Sequence, residues 1–321
     1  MYYSVMKTLA AALFWTFCAI SAQAAERVTV GAYLNDIHDL DLKTHSYSVD
    51  IYVWLRWRDP KLDPAATLEF NNPYELWGHA RALEHEKPVR LPTGELYQVL
   101  RVQGRFSRKF KLGDYPFDHQ TLLVDFEDAR ATSDDLVYIP AELEVSPELE
   151  LPGFDIGKPR FFAADTVYPT DFGDLRKPGT RTFSRVRLEI PISRPALTYS
   201  IKLLLPILSV LFCAALMFLF HPKHLDARVG IGITALLTIV ALQITLNGDL
   251  PEVAYLVLMD KIYLGAYLFV IAGLAVIVRT TWMVERGREK EAMAMDRRML
   301  AVLSAAYLAA AAWILSTAGR G

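Results

Sequence analysis

The sequence is poor in cysteine and in net charge. Among 321 residues there are only two cysteines, Cys18 and Cys213, and both lie in apolar runs. We therefore expect no internal disulfide, so the core alone must hold any exported part together. The chain has 34 basic and 36 acidic side chains, and no basic helix stands out. This balance argues against nucleic acid as a partner.

Motifs for catalysis are also missing. The sequence contains no G-x-S-x-G, no H-E-x-x-H and no phosphate-binding loop, and these are the patterns that would indicate hydrolase or nucleotide chemistry. Its seven histidines do not have the spacing of metal ligands. The sequence therefore predicts no catalytic residue, no metal and no cofactor, and we do not expect an enzyme.

What the chain has in excess is hydrophobic residues, at 53%, and they are concentrated in segments. The first segment has a basic residue, Lys7, then an apolar run from Leu9 to Ile20 and the small-residue pattern Ala22-Gln23-Ala24. This order is typical of a secretory signal peptide. We predict a signal peptide over residues 1–25 and an exported domain after it.

Residues 26–193 alternate in hydrophobicity with period two and are divided by turn residues. In the clearest run, 49–58, the side chains of Ile51, Val53, Leu55 and Trp57 alternate with polar or aromatic ones. Similar runs cover 96–106, 121–127, 137–139 and 183–192. Alternation of this kind is typical of strands with one buried face. We predict an extracellular antiparallel β-sandwich over residues 26–193.

Residues 194–321 contain four apolar segments, at 197–220, 226–247, 255–278 and 299–318. Each is close to the roughly 20 residues that cross a bilayer as a helix. The second inner connection, 279–298, carries six basic residues, whereas the outer turn 247–252 has none. This asymmetry favours a cytoplasmic position for 279–298. We predict an all-α four-helix transmembrane domain in the inner (plasma) membrane, a short cytoplasmic loop at 279–298, and both the sandwich and the C-terminus outside.

The second span has an unusual polar stripe. Steps of three and four residues connect small, polar and bulky side chains on one side of the helix: Asp226, Gly230, Thr234, Leu237, Ala241 and Ile244. A neighbouring stripe is equally regular: Ala227, Ile231, Thr234, Thr238, Ala241 and Thr245. A third row, Val229, Ile233, Leu236 and Val240, is uniformly apolar and is expected to face away. The polar stripe fits either a water-filled pore between several copies or tight packing in one bundle.

Three motifs connect these segments to a known family. They are Tyr115-Pro116-Phe117-Asp118-His119-Gln120, then Ile192-Ser193-Arg194-Pro195 at the start of the first span, and Leu250-Pro251 after the second. With them the chain resembles the prokaryotic branch of the pentameric ligand-gated ion channels, the Cys-loop receptor superfamily. Arg108 and Leu122 stand where the eukaryotic members have the two loop cysteines, a departure that the bacterial members share.

The resemblance implies a homopentamer of identical subunits in a lipid bilayer, opened by a small-molecule or proton agonist and conducting monovalent ions. It places the first of the two stripes, from Asp226 to Ile244, on the lumen, with residues 226–247 as the pore helix. We expect ligand-binding residues Tyr52, Trp54, Trp77, Glu127, Tyr168 and Phe183. The aromatic residues among them fit either a cation-binding box between two subunits or dry packing at a subunit interface. The resemblance implies gating and coupling residues Asp39, Asp41, Tyr115, Pro116, Phe117, Asp118, Arg194, Leu250 and Pro251.

Two of these roles carry specific expectations. Arg194 is expected to pair with Asp118 and with either Asp39 or Asp41, and so to couple the two domains. Glu127 is expected to act as a counter-charge for a ligand ammonium group among the aromatic rings.

Ion selectivity depends on two neighbouring charges. The stretch Ala227-Arg228-Val229-Gly230 is similar to the anion-selective glycine-receptor pore, but Asp226 replaces its proline. Because Arg228 lies about 200° around the helix from Asp226, we expect it to point away from the lumen. We therefore expect a cation-selective channel. The alternatives are an anion-selective channel of the same family, and a membrane-anchored binding or scaffold protein that does not conduct.

Overall fold

The computed structural model describes residues 24–174 and 179–317. Almost all of the predicted signal peptide lies outside the described residues. Between Glu26 and Ser193 the chain forms strands, apart from one helical turn at Pro64–Thr67 and a 3₁₀ turn at Leu76–Gly78, and from Ala196 onward it forms long helices. The strands are β1 Glu26–Asp41, β2 Ser46–Trp57, β3 Leu68–Phe70, β4 Ala80–Leu83, β5 Val89–Arg90, β6 Leu96–Ser107, β7 His119–Asp128, β8 Leu136–Val145, β9 Asp155–Ile156, β10 Arg160–Ala163, β11 Thr166–Tyr168, β12 Arg181–Phe183 and β13 Arg185–Ser193.

These strands form two main sheets. The first has the order β4–β6–β2–β1–β8, with β5 also on β6; the second has the order β10–β13–β7–β3, with β9 on β13. Strands β11 and β12 form a separate two-stranded ribbon. Neighbours are antiparallel, except that β1 and β8 run parallel. The two-sheet architecture agrees with the predicted β-sandwich.

Period-two alternation explains the core. Along β2, the side chains of Val49, Ile51, Val53, Leu55 and Trp57 are all buried. The second sheet contributes alternating buried residues on β7 and β13: Leu122, Val124, Phe126, Val186, Leu188, Ile190 and Ile192. Because successive side chains of a strand point to opposite faces, each strand supplies one inward row. The inward rows of the two sheets together form the core of a domain that contains no cysteine.

Four helices follow: α1 Ala196–Ala215, extended by the short 3₁₀ turn Leu216–Phe218, then α2 Leu225–Gly248, α3 Leu258–Glu285 and α4 Glu289–Thr317. All four are long and apolar enough to cross a membrane. They agree with the predicted all-α four-helix domain. Helix α2 packs against both α1 and α3, and α4 packs against α3.

The predicted loop at 279–298 is wrong. Helix α3 continues to Glu285 and α4 begins at Glu289, so only a tight turn separates them. Gly287 has φ 80°, and the backbone N–H groups of Gly287 and Arg288 donate to the carbonyls of Val284 and Met283 at 2.9 Å each. This pattern is a Schellman motif, which satisfies the last carbonyls of a helix. Apolar length marks only the membrane-spanning part, whereas helical hydrogen bonding continues into the polar residues.

Candidate pore, ligand-binding and coupling sites

The face of α2 that carries the predicted pore residues is exposed in the single chain. Leu237 and Ile244 are 64% and 67% exposed, and the other four members of the stripe are exposed as well. The buried side chains of α2 are Arg228, Gly232, Ala235, Ile239 and Leu246. They recur at helical spacing on the opposite side. One face of α2 is therefore packed on the other helices, and the opposite face is exposed.

The apolar row of Val229, Ile233, Leu236 and Val240 does not face away as expected. Ile233 is 48% exposed and Val240 is 38% exposed. At about 100° per residue, this row lies only about 80° from the middle of the stripe, so it forms a flank. Thr238 on the other flank is also exposed. Exposure alone thus leaves both candidate stripes accessible.

Three of the predicted ligand-binding residues come together at one end of β7. The Tyr168 ring lies 5.6 Å from the Phe183 ring in an edge-to-face arrangement, and the Tyr168 hydroxyl donates to Glu127 Oε1 at 2.9 Å. Burial and this hydrogen bond raise the pKa of Tyr168, so its phenol remains a neutral donor. Phe172, whose φ is 55°, places its 61% exposed ring 5.5 Å from Tyr168.

Glu127 is not a free counter-charge, contrary to the expectation. Its Oε2 accepts from both Nε and Nη2 of Arg185, at 2.9 and 2.7 Å. Register explains the pair, because Arg185 and Glu127 stand directly opposite each other on β13 and β7. Both side chains are largely buried. A ligand cation at this position therefore meets a carboxylate already neutralised by Arg185.

The other predicted ligand-binding residues lie elsewhere. Tyr52 and Trp54 are on β2 of the first sheet. The guanidinium of Arg101 sits 5.0 Å above the Tyr52 ring, and the Trp54 indole lies so close over Gly31 that a Cβ there would be 2.1 Å from its Cε2. Trp77 is 85% exposed. Within the described chain these rings do not meet the Tyr168 cluster, so a joint site requires a second subunit.

At the base of the sandwich, Arg194 occupies a closed site. Its Nη1 donates to Asp118 Oδ1 at 2.6 Å, and both side chains are only 3% exposed. Three rings surround the guanidinium, with centroids at 4.8 Å for Tyr115, 4.6 Å for Phe154 and 5.5 Å for Tyr199. Such faces attract a cation through their quadrupoles. The pair therefore joins the loop at residues 115–120, here called the signature loop, to Arg194, which lies two residues before the first membrane helix.

The expected second partner of Arg194 is not found in the part of the chain that the structure describes. Asp41 is used within its own turn, accepting from the backbone of Lys43 at 2.8 Å and from the Thr44 hydroxyl at 2.8 Å. Asp39 is 75% exposed on its side chain and lies near His38. An aspartate in a turn readily accepts hydrogen bonds from backbone N–H groups a few residues further on, because these groups lie within reach of its side chain.

Backbone contacts complete the junction between the sandwich and the helices. The N–H of Leu258, at the start of α3, donates to Gly113 O at 2.8 Å. The N–H of Leu112 donates to the Tyr255 hydroxyl at 3.0 Å. Leu250 and Pro251 border a cavity of about 710 Å³ beside these contacts. Pro116 is buried and Phe117 is half-buried in the signature loop.

Several residues of these sites were missed from the sequence. Arg185, Phe172, Phe154 and Tyr199 all touch a predicted residue, as described above. Arg185 carried a usable signal, since strand pairing of β7 with β13 puts it opposite Glu127. Phe154 gave none, because its contact with Arg194 depends on a loop path that no periodic pattern specifies.

The geometry thus defines a class of protein: a multi-pass membrane protein with a β-sandwich joined to four apolar helices. Residues 203–311 match the family described as the neurotransmitter-gated ion-channel transmembrane region. The chain is 24% identical to gamma-aminobutyric acid receptor subunit beta-4 of Gallus gallus over 271 residues, covering 77% of this chain and 54% of that protein. It is 25% identical to glycine receptor subunit beta of Rattus norvegicus over 275 residues, covering 77% and 53%. The chain therefore spans about half the length of the curated relatives it matches.

The family match covers most of the four-helix region and agrees with its predicted membrane-spanning character. The match over residues 203–311 and these relatives together support placing this chain in the Cys-loop superfamily of pentameric ligand-gated ion channels. Members of this family are channels and not enzymes.

Proposed function

We propose that this protein is a homopentameric ion channel, opened by a small ligand at its sandwich domain and selective for cations. The observation that carries the proposal is the exposed stripe on α2, which runs from Asp226 past Thr234 to Ile244 in a helix whose opposite face is buried. In hydrocarbon, polar groups need protein or water around them. Five copies with this face inward supply both.

The flanks of α2 support assembly. Ile233 and Val240 are apolar and partly exposed on one side of the stripe, and they suit contact with a neighbouring subunit. A scaffold that never conducts would need no polar residue such as Thr234 on the exposed face at mid-membrane.

Orientation follows from charge. The turn between α3 and α4 and its flanks hold Arg279, Arg286, Arg288, Lys290, Arg297 and Arg298, while residues 247–252 hold no basic side chain. Because basic residues are retained on the cytoplasmic side, we place this turn on the cytoplasmic side of the plasma membrane. The sandwich and the end of α4 then lie outside, and the predicted signal peptide serves export.

Conduction is tested by reconstituting the purified protein in planar bilayers. Currents are recorded while primary amines, amino acids and pH steps are applied to the sandwich side. We expect discrete channel openings with at least one of these stimuli. A protein that forms pentamers but never conducts, even with a pore-opening substitution, would favour the scaffold alternative.

Leu237 is the candidate gate. Five leucine side chains at one level of a narrow lumen can exclude water and so block ions without a plug. We expect Leu237→Ser to raise agonist sensitivity or to leak without agonist. The measurement is the resting current and the activation curve of Leu237→Ser beside those of Ile239→Val, a buried position on the opposite face. If Leu237→Ser stays as silent and as sensitive as the parent, this residue is not the gate.

The agonist is proposed to bind between subunits, with Tyr168 and Phe183 on one side and Tyr52 and Trp54 on the other. An aromatic face contributes about 0.5 to 2 kcal/mol to binding a cation. We therefore expect Phe183→Leu, which keeps apolar bulk but removes the ring, to shift the activation curve several-fold to higher agonist concentration. The single-channel conductance should stay unchanged, because the lumen is not altered.

Val167→Ala is the control for this prediction, since Val167 precedes Tyr168 on β11 and is 59% exposed. We expect it to leave the activation curve unchanged. Unchanged curves for Phe183→Leu together with Tyr168→Ala would place the agonist outside this cluster.

A further inference from the structure

The buried face of α2 contains one charged side chain, Arg228. It is 0% exposed, near the cytoplasmic end proposed for the helix. A charge buried at membrane depth is costly and is normally paired. Its partner is Asp296 on α4, which is 1% exposed, and Arg228 Nη2 lies 2.7 Å from Asp296 Oδ1.

The same guanidinium also contacts the remaining two helices. Its Nε donates to the carbonyl of Met217, in the 3₁₀ turn after α1, at 2.8 Å. Its Nη1 donates to the Thr280 hydroxyl of α3 at 3.2 Å, and Thr280 is itself 0% exposed. One side chain of α2 therefore reaches all three other membrane segments.

This geometry constrains the rotation of α2 about its own axis. Arg228 follows Asp226 by two residues, which is about 200° around a helix. While Arg228 stays in its site, Asp226 must lie on the exposed face. Further along the same buried row, Gly232 fixes a close approach, because a Cβ there would be 2.5 Å from Leu274 Cδ2. Rotation that moved Asp226 off the exposed face would have to remove the guanidinium from its three polar partners, Asp296, the Met217 carbonyl and the Thr280 hydroxyl.

We propose that Asp296 is a remote positioning residue for the pore mouth. Its carboxylate holds Arg228 inside the bundle, which keeps Asp226 on the lumen face and keeps the Arg228 charge off the permeation path. This inference deepens the proposed function and rests on it for selectivity, although the rotation itself is a property of the helix bundle. Asp296 lies on α4, 68 positions after Arg228 in the sequence. A residue far from the pore helix would therefore determine which charged side chain of α2 faces the lumen.

A plain packing role predicts something different. If the ion pair only stabilised the bundle, its loss would lower the amount of assembled protein without changing which face of α2 is accessible. The positioning role predicts that the accessible face changes in the protein that does assemble. Thiol labelling separates the two, since it reports the exposed face of α2 whether or not the protein conducts.

The experiment uses single cysteines in a background in which both native cysteines, Cys18 and the exposed Cys213 of α1, are replaced by alanine. Gly230→Cys reports the exposed stripe, where an added Cβ meets nothing within 4 Å, and Ile231→Cys reports a half-buried neighbour. The purified full-length protein in detergent is treated with a charged thiosulfonate, and labelling rates are measured by mass spectrometry. In the parent we expect Gly230→Cys to react several-fold faster than Ile231→Cys.

With Asp296→Asn added, we expect this rate ratio to fall several-fold toward unity. Adding Arg228→Gln to Asp296→Asn removes both charges and leaves a hydrogen-bonding pair, so the ratio should return toward that of the parent. Arg297→Gln, the exposed neighbour of Asp296, is the matched control and should not change it. An Asp296→Asn protein that assembles with the parent ratio overturns the proposal.

If Asp296→Asn does not assemble, Asp296→Glu replaces it, because the charge is kept and moved by one methylene. The proposal then expects a smaller fall in the ratio, and an unchanged ratio overturns it. In bilayers, Asp296→Asn should also shift the reversal potential toward the chloride potential, and the double variant should reverse the shift. Failure of the bilayer measurement alone, with the labelling result intact, would count against the proposed channel function and not against the positioning role.

Discussion

Replacing Arg194 by alanine is expected to abolish ligand-gated current. The substitution leaves Asp118 buried without its cation, and removing one partner of a buried ion pair costs about 3 to 5 kcal/mol. It also empties the space between Tyr115, Phe154 and Tyr199, which surround the guanidinium. Because this site joins the signature loop to the first membrane helix, we expect the loss to fall on assembly, on gating or on both. Surface pentamer and agonist-evoked current are measured in the same cells.

Arg187→Gln is the matched control. Arg187 lies on the same strand, β13, and pairs with Asp125 at 2.7 Å, but its side chain is 31% exposed. Because solvent reaches Arg187, we expect this pair to contribute less than the closed pair of Arg194 and Asp118. Arg187→Gln should therefore assemble and gate nearly as the parent does. Normal activation of Arg194→Ala at normal surface expression would remove Arg194 from the coupling role.

The comparison of sequence with structure explains why one partner of Arg194 was predicted and another was not. Asp118 belongs to the signature loop, so the family resemblance predicted its pairing with Arg194 directly. The pairing with Asp39 or Asp41 failed because Asp41 forms hydrogen bonds within its own turn. Local hydrogen bonds compete with long-range charge pairing, and residue type alone does not indicate which of them wins.

The helices show a similar division. The membrane-spanning lengths were predictable because hydrocarbon thickness sets the apolar length. The true start of α4 at Glu289 was not predicted, although Gly287 and the acidic first turn of α4 carry ordinary helix-end signals. The prediction followed the bounds of the apolar segments and did not use these helix-end signals.

Packing between helices was the least accessible feature. The sequence predicts that Arg228 turns away from the stripe, since that follows from helical geometry. Its partner Asp296 lies 68 positions later, in a helix whose rotation no periodic pattern fixes. Likewise the row containing Ile233 and Val240 is uniformly apolar, yet it lies on a flank, because apolar character does not distinguish a neighbour in the same chain from a neighbour in another copy.

Asp226→Ala is expected to remove cation selectivity. In a homopentamer, five Asp226 carboxylates surround one mouth of the lumen, raise the local cation concentration and repel chloride. Arg228, the nearest positive charge in sequence, is buried against Asp296 and adds no opposing ring. Under a NaCl gradient, the parent channel should reverse near the sodium potential. The reversal potential of Asp226→Ala should move toward zero or beyond it.

Asp226→Glu supplies the control, because it keeps the charge on the same face and should keep the parent reversal potential. Salt dependence gives a second test of the mechanism. Screening acts over about 8 Å at physiological ionic strength and over about 3 Å at 1 M, so the parent's preference for sodium should weaken as salt rises, while Asp226→Ala should respond little. A parent channel that reverses near the chloride potential would contradict the carboxylate ring and favour the anion-selective alternative suggested by the Ala227-Arg228-Val229-Gly230 stretch.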